Sequence, residues 1–191
     1  MFRGLYDRVL IWSRHRHARR YLAGLSVAEA TFFPIPPDVM LAPMVLADRS
    51  RAWSLALLTT LASVAGGAIG YLIGWLGIEL VHPLIERAGY LHHYQRAVAA
   101  FGDYGIWFVI VAGFTPIPFK IITIAGGALL MPLPGFILGS IVGRGARFFL
   151  VAGLIWAGGE RIADRLRNWV DAIGWTVIVL MILAGLIYVA R

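Results

Sequence analysis

Two apolar segments of the chain are each interrupted by the same proline motif. The first, residues 21–47, breaks at Phe32-Phe33-Pro34-Ile35-Pro36-Pro37-Asp38, and the motif returns 82 positions later as Phe114-Thr115-Pro116-Ile117-Pro118-Phe119-Lys120. A proline inside a helix removes a backbone donor and clashes with the preceding turn, at a cost of roughly 3 kcal/mol. We therefore predict that each motif is a turn between two half-helices. The structural residues of these turns are Pro34, Pro36, Pro116 and Pro118.

The half-helices are too short to cross a bilayer. About a dozen residues rise roughly 18 Å in a helix, whereas the hydrocarbon core of a membrane is ~30 Å thick. Segments 21–47 and 104–131 are therefore predicted to be re-entrant hairpins, which enter and leave the membrane on one side. An irregular backbone at that depth must be covered by protein or line a water-filled cavity. The sequence thus predicts a polar site within the membrane.

Each hairpin is followed by an apolar segment that is long enough to span the membrane, at 53–78 and at 135–158. Glycines recur at every fourth position in both, at 66, 70 and 74 and at 135, 139 and 143, which lets helix backbones pack closely. Because a single span separates the two hairpins, the second hairpin must enter from the opposite face. This arrangement is an inverted repeat, which many secondary transporters build around a binding site at the midplane.

The remaining segments are predicted to be interfacial or spanning helices. Apolar residues at spacings of three and four indicate an amphipathic helix over residues 1–20, lying on the cytoplasmic leaflet. Residues 79–103 are predicted to hold a short amphipathic helix on the far side. Residues 160–191 are predicted to form a second amphipathic helix and a last spanning helix. The predicted fold is thus an all-α integral membrane protein with a central membrane domain over residues 21–159.

Composition supports a membrane protein. The 191 residues are 60% apolar and only 14% charged, whereas soluble domains carry about a quarter charged residues. The net charge of +7 fits the positive-inside bias and contact with anionic lipid rather than nucleic acid. Basic residues at 3–20, 49–51 and 161–167 all fall on one side of the predicted topology, which we take as cytoplasmic. The chain has no cysteine, and no metal or cofactor is expected.

Five ionisable residues fall at membrane depth: Glu29, Asp38, Lys120, Arg144 and Arg147. Intramembrane charges cost about 2.5–3.5 kcal/mol each on insertion scales and suggest function by default. Arg144 and Arg147 are three residues apart and share one helix face, roughly 13 and 18 Å from the predicted helix start. Since guanidinium groups suit bidentate phosphate contacts, we predict that Arg144, Arg147 and Lys120 bind substrate.

The two intramembrane carboxylates allow more than one interpretation. Glu29 and Asp38 pair with the arginines as structural salt bridges in one of them, yet three cations against two carboxylates leave one positive charge that an anion such as a lipid phosphate can fill. Asp38 follows the first proline turn, where helix amides stabilise a carboxylate, whereas Lys120 is disfavoured at the equivalent place. A carboxylate or a ligand must therefore compensate Lys120. Because a low-dielectric cavity favours a protonated carboxyl group, proton coupling through Glu29 or Asp38 is a hypothesis.

Three features together carry a resemblance to a known family: Glu29 and Asp38 around the first Pro-Ile-Pro, the second motif ending in Phe119-Lys120, and the stretch Gly143-Arg144-Gly145-Ala146-Arg147-Phe148. With them the chain resembles the DedA family, also called the SNARE-associated or VTT-domain family, and within it the YqaA-like branch, over about residues 20–160.

The resemblance implies a bacterial inner-membrane protein that moves lipids between leaflets, including undecaprenyl phosphate, and that is linked to the proton motive force. Eukaryotic relatives are lipid scramblases. The acidic pair that the family needs carries over to Glu29 and Asp38, and its basic residues to Arg144 and, as a weaker match, Arg147. Many members have an arginine near the second motif, where this chain has Lys120, which makes a less directional phosphate contact.

The leading function predicted from the sequence is a translocator of anionic lipid, either a phospholipid or a polyprenyl phosphate. The alternative is a proton-coupled transporter or channel for small solutes or ions, which needs the same charges but a closed aqueous path. An enzyme is not expected, because the sequence offers no Ser-His-Asp arrangement, metal-ligand cluster or phosphatase-like His/Arg signature, and all five histidines lie outside the predicted spans. The expected partners are membrane lipids through their phosphate headgroups, with no nucleic acid, and the sequence leaves a homo-oligomer open.

Overall fold

Six α-helices and one 3₁₀ turn make up the part of the chain that the computed structural model describes, residues 15–87, 89–115 and 118–159. The helices are α1 (Ala18–Thr31), α2 (Asp38–Ala47), α3 (Ala52–Arg87), α4 (Leu91–Phe114), α5 (Phe119–Ala128) and α6 (Leu133–Gly158), with the 3₁₀ turn at Arg49–Arg51. Within these ranges α6, and α3 with its preceding turn, are long and apolar enough to cross a membrane. The predicted all-α membrane fold is confirmed.

Three predictions concern residues outside the described ranges. They are the amphipathic helix at the start of the chain, for residues 1–14, the two helices of residues 160–191, and the turn residue Pro116.

The first proline motif separates α1 from α2. The amides of Phe32 and Phe33 both donate to the carbonyl of Ala28, at 2.8 Å each, and these bonds close the last turn of α1. Pro34 then supplies no N–H to continue the helix, and α2 begins at Asp38. With 14 and 10 residues, both arms are shorter than a membrane span requires.

A capped turn links the first hairpin to α3. Asp48 accepts hydrogen bonds from the amide and the hydroxyl of Ser50, at 3.1 and 2.5 Å, and pairs with Arg51 at 2.8 Å. The hydroxyl of Ser50, followed by the charge of Arg51, holds the pKa of Asp48 below its usual value. This polar turn ends the hairpin at the end of the molecule that carries Arg16, Arg19, Arg20, Arg49 and Arg51. We call this the basic end of the molecule.

The second hairpin follows the same plan. α4 bends by 70° between Leu91–Ala99 and Phe101–Phe114, and the second of these arms is as long as α1. Pro118 is the N-cap residue of α5, which has 10 residues, as α2 has. A turn in which Leu130 has a φ of 55° then leads into α6.

The chain between the two halves differs from the prediction. The sequence predicts a spanning helix at 53–78 and a separate amphipathic helix within 79–103, but α3 continues to Arg87. The break comes at Gly89, whose φ of 75° is a conformation that glycine adopts without strain. Leu80 and Leu84 extend the apolar stripe of α3 past residue 78, so hydrophobic spacing gives no sign of where α3 ends.

The first arm of each hairpin lies beside the spanning helix that follows it. The two helices of each pair, α1 with α3 and α4 with α6, run parallel. Arg19 at the start of α1 bonds to Ser54 at the start of α3, and Val27 meets Gly66 further along both helices. In the other half, Gly139 of α6 lies against the backbone of α4 in the same parallel sense. Since α1 and α3 begin at the same end of the molecule, the first hairpin enters and leaves on that side.

The two halves of the repeat pack against each other in inverted orientation. Trp53 at the start of α3 stacks on Phe149, in the second half of α6, whereas Tyr71 further along α3 contacts Phe136 near the start of α6. α3 and α6 are therefore antiparallel. The second arm of each hairpin packs on the spanning helix of the opposite half, α5 on α3 and α2 on α6. These contacts place the two proline turns side by side at the centre, in an inverted repeat.

Candidate functional site

Arg144 is the most deeply buried charge of the described chain, with 2% of its surface exposed. Its Nε donates to the Oγ of Ser63 at 2.7 Å, and its Nη2 pairs with Oε2 of Glu29. The guanidinium lies between two rings, 4.9 Å from the centroid of Phe119 and 4.7 Å from that of Phe148. Cation–π contacts of this kind stabilise a desolvated guanidinium, so four elements of the fold hold this one group in place.

Arg147 lies one turn further along α6 and binds the tips of both hairpins. Its Nη2 pairs with Oδ2 of Asp38 at 2.6 Å, and its Nη1 donates to the carbonyl of Thr115 at 2.9 Å. The side chain is 15% exposed, and no ring stacks on it within the described residues. Arg147 therefore joins the N-terminus of α2 to the C-terminus of α4.

Lys120 stands in the first turn of α5, where the helix dipole disfavours a cation. Its Nζ donates to the carbonyls of Phe32 and Phe33, at 3.4 Å each. These carbonyls lie at the C-terminal end of α1, which is the end that attracts a cation. No carboxylate pairs with Lys120 in the described part of the chain, so the compensation that the sequence predicts comes from backbone carbonyls instead.

The repeat is visible in these contacts. Phe33 and Thr115 occupy equivalent positions in the two motifs, and the carbonyl of each accepts a hydrogen bond from a cation, Lys120 in one case and Arg147 in the other. Asp38 and Lys120 are likewise equivalent and have opposite charge. The two halves thus share a backbone plan, whereas Arg144 and Arg147 occur only in the second half.

Asp38 has one carboxylate oxygen without a partner. Oδ2 binds Arg147, but Oδ1 is buried and makes no hydrogen bond to any described residue, in a side chain that is 9% exposed. A buried acceptor without a donor costs about 1–3 kcal/mol, and an intact network satisfies such an atom with a proton, a water molecule or a ligand. Among the buried side-chain nitrogen and oxygen atoms of the described residues, Oδ1 of Asp38 is the one that makes no hydrogen bond to them.

The five predicted charges thus meet at one place, the junction of the two proline turns. Both arginines pair with carboxylates, as in the salt-bridge interpretation of the sequence, and the remaining positive charge lies on Lys120. Pro34 is exposed and Pro36 half-buried at the first turn, and Pro118 begins α5 at the second. No group of three or more histidine, aspartate or glutamate residues suited to a metal ion occurs in the described ranges.

Sequence reasoning missed the groups that hold Arg144. Phe148 follows Arg144 by four residues and so shares its helix face, which is a signal that the spacing offers. Phe119 precedes Lys120 in the second motif, but its position over Arg144 depends on how α5 packs. Ser63 is one of several hydroxyl residues of α3 and has no signal of its own in the sequence.

Fold and site together define a polytopic α-helical membrane protein with two inverted re-entrant hairpins around a buried charge cluster. The VTT domain family model matches residues 34–157, and the chain belongs to this family. The matched region contains both proline turns and four of the five clustered charges, with Glu29 just before it.

Relatives match over nearly the whole chain. An uncharacterized protein of Haemophilus influenzae is 44% identical over 184 residues, which is 96% of each chain, and an uncharacterized protein of Histophilus somni is 41% identical over 187 residues, 98% of each. An uncharacterized membrane protein of Mycobacterium leprae is 30% identical over 142 residues, 72% of this chain and 60% of the relative. No solved structure matches the chain.

Proposed function

We propose that this protein moves anionic lipid, a phospholipid or a polyprenyl phosphate, between the leaflets of the bacterial inner membrane. The observation that carries the proposal is the charge balance at the junction of the two turns. Three cations face two carboxylates there, both carboxylates are paired with arginines, and in the described part of the chain Lys120 is held by carbonyls without a carboxylate. A phosphate is a stronger partner for an ammonium group than a carbonyl is.

In this proposal the three cations have different parts, and two of them bind the phosphate. The headgroup replaces the carbonyls of Phe32 and Phe33 at Lys120, while the acyl chains remain in the surrounding lipid. Arg144 is fixed by Glu29, Ser63 and two rings and keeps the broken helices together. Arg147 is less enclosed than Arg144, so the phosphate binds Arg147 after it has bound Lys120.

In this proposal, protonation of Asp38 is coupled to the release of Arg147 and so to the binding of the lipid phosphate. Oδ1 of Asp38 is the buried acceptor without a donor, and protonation there removes the charge that Arg147 neutralises. Arg147 then turns to the lipid phosphate, and loss of the proton returns it to Asp38. Lipid movement that does not respond to an imposed pH gradient would exclude this coupling while leaving translocation itself in place.

The same unpartnered oxygen favours a second function, a proton-coupled transporter or channel for small solutes or ions. Both functions use the charge cluster, and they differ in whether acyl chains accompany the charged group. We place the protein in the membrane with its basic end on the cytoplasmic side, because Arg16, Arg19, Arg20, Arg49 and Arg51 gather at the end where the first hairpin enters.

Lipid flip-flop in proteoliposomes tests the proposal. A headgroup-labelled anionic lipid and a membrane-impermeant quencher report how fast lipid crosses the bilayer. We expect the wild type to speed this exchange and Arg144→Ala and Asp38→Ala to lose the effect. Arg51→Ala, which removes an exposed arginine at the surface, serves as the control and should retain it.

Two results would contradict the proposal. Normal lipid movement by folded Arg144→Ala and Asp38→Ala proteins would show that the charge cluster is not the site. A solute-driven current without lipid movement would favour the second function instead.

A further inference from the structure

A groove opens between the beginnings of α1 and α3, away from the buried charge cluster. It encloses about 420 Å³, and its polar and apolar lining includes Arg19, Arg20, Ser54, Leu57, Leu58 and Leu61. Further along, the two helices touch, since a side chain at Gly66 would collide with the backbone of Val27. The groove is therefore the space left where α1 and α3 diverge toward the basic end of the molecule.

The outer end of the groove is positively charged. Nη2 of Arg19 donates to the Oγ of Ser54 at 3.1 Å, and that hydroxyl in turn donates to the carbonyl of Arg51 at 2.9 Å. Neither Arg19 nor Arg20 pairs with a carboxylate in the described ranges. Both arginines are exposed and line the groove, and within the described residues neither has a carboxylate partner.

The end of the groove that lies further along α3 is apolar, and two of its leucines are exposed at the surface of the protein. Leu57 and Leu61 lie four residues apart, so they share one face of α3, and they are 49% and 54% exposed. They follow Ser54 by roughly 5 and 10 Å along the helix axis. The change from charged to apolar surface over this distance matches the change from headgroup to acyl chain in a bilayer leaflet.

We propose that this groove binds one anionic phospholipid, with its phosphate at Arg19 and Arg20 and an acyl chain along Leu57 and Leu61. The fork of N–H donors on a guanidinium matches a phosphate, and anionic lipid gathers at the basic side of a membrane protein. The occupant is a lipid rather than free phosphate, because most of the lining of the groove is apolar. Binding at this surface does not depend on whether lipid crosses the membrane at the central site.

Native mass spectrometry of the purified full-length chain in detergent measures this binding. With dioleoylphosphatidylglycerol added, we expect one lipid to be retained in preference to dioleoylphosphatidylcholine. Arg19→Gln with Arg20→Gln should weaken phosphatidylglycerol binding about tenfold or more, since each arginine near an anionic headgroup contributes separately. Leu57→Trp, which fills the groove without changing its charge, should weaken the binding of both lipids.

Arg49→Gln with Arg51→Gln is the matched control. It removes the same charge at the same end of the molecule, but Arg49 bonds to the carbonyl of Trp156 and Arg51 to Asp48. An equal loss of lipid in this control would overturn the proposal in favour of a general charge effect. Displacement of the lipid by an equal concentration of inorganic phosphate would also overturn it. So would unchanged binding in all variants, which would mean that the lipid binds elsewhere on the protein.

Discussion

Arg144 and Arg147 lie three residues apart on α6 but have different surroundings. Arg144 is enclosed by two aromatic rings and bonds to side chains of α1 and α3. Arg147 bonds to the two hairpin tips and keeps part of its surface exposed. Position on one helix face therefore does not make the two residues equivalent. Arg144 is the centre of the packed charge cluster, and Arg147 lies where a ligand can compete for it.

The Glu29–Arg144 pair should show strong coupling. Glu29→Gln leaves a buried guanidinium unpaired and Arg144→Met leaves a carboxylate unpaired, and each change should lower the free energy of unfolding by about 3–5 kcal/mol. The double variant should recover most of that loss, because it leaves no buried charge without its partner. Unfolding by sodium dodecyl sulfate in detergent micelles measures all three variants.

The exposed pair of Arg51 and Asp48 is the control for this comparison. Both side chains are largely in solvent, 62% and 41% exposed, so Arg51→Met should change stability very little. If the double variant is as unstable as the sum of the two single variants, the pair does not hold the site together as we describe.

At the residue scale, the sequence predicts which charges matter but not how they pair. The five ionisable residues stand out because apolar segments surround them. Their partners depend on how four separate helices meet, and no local spacing records that geometry. The carbonyls that bind Lys120 belong to Phe32 and Phe33, whose side chains give no sign of this role. Residue types do not show which backbone carbonyl will accept a hydrogen bond from a side chain.

At the scale of elements, the second arm of each hairpin depends on close contact with a spanning helix. A side chain at Gly127 of α5 would collide with the carbonyl of Tyr71, and one at Gly74 of α3 would collide with the carbonyl of Ile124. The backbones of α3 and α5 therefore approach as closely as glycine allows. This contact fixes how far α5 reaches, and with it the position of Lys120.

Two alanine substitutions on α3 test this contact. At Gly74 the added methyl group meets backbone atoms that cannot move aside, so Gly74→Ala should lower the free energy of unfolding by about 1–3 kcal/mol. At Gly77 nothing lies within 4 Å, and Gly77→Ala should be neutral or raise stability by up to about 1 kcal/mol through helix propensity. The same detergent unfolding assay measures both, and equal effects would show that the close contact is absent.

The sequence predicts a break in a helix where a residue such as proline forces it. It does not predict a break that depends on tertiary packing. The proline motifs predict both hairpin turns because proline cannot continue the hydrogen bonds of a helix. The end of α3 is different, since Pro83 lies inside that helix and the turn comes at Gly89. Pro83 removes one hydrogen bond from α3 without ending it, and a glycine marks a turn only when the chain has a reason to reverse there. Tertiary packing supplies that reason.

At the scale of the whole molecule, the inverted repeat assigns each loop to one side of the membrane. Ser50 lies between α2 and α3, at the end where α1 begins, whereas Tyr90 lies between α3 and α4 at the opposite end. The turn between α5 and α6 returns to the side of Tyr90. Both hairpins thus approach the centre from opposite sides, and their tips meet there.

Single-cysteine variants test this topology without background, because the chain has no cysteine of its own. In sealed vesicles, a membrane-impermeant maleimide should label Ser50→Cys from one side and Tyr90→Cys only from the other. His15→Cys, near the start of α1, should behave as Ser50→Cys does. Labelling of Ser50→Cys and Tyr90→Cys from the same side would contradict the inverted arrangement.

Lipid exchange in proteoliposomes tests whether the positive charge on Lys120 binds a lipid phosphate. Lys120→Met removes the charge but no ion pair, so the protein should fold normally and move headgroup-labelled anionic lipid about tenfold more slowly, as expected for one charged hydrogen bond. Lys120→Arg keeps the charge and should retain most of the rate. A folded Lys120→Met protein that moves anionic lipid as fast as the wild type would contradict the account.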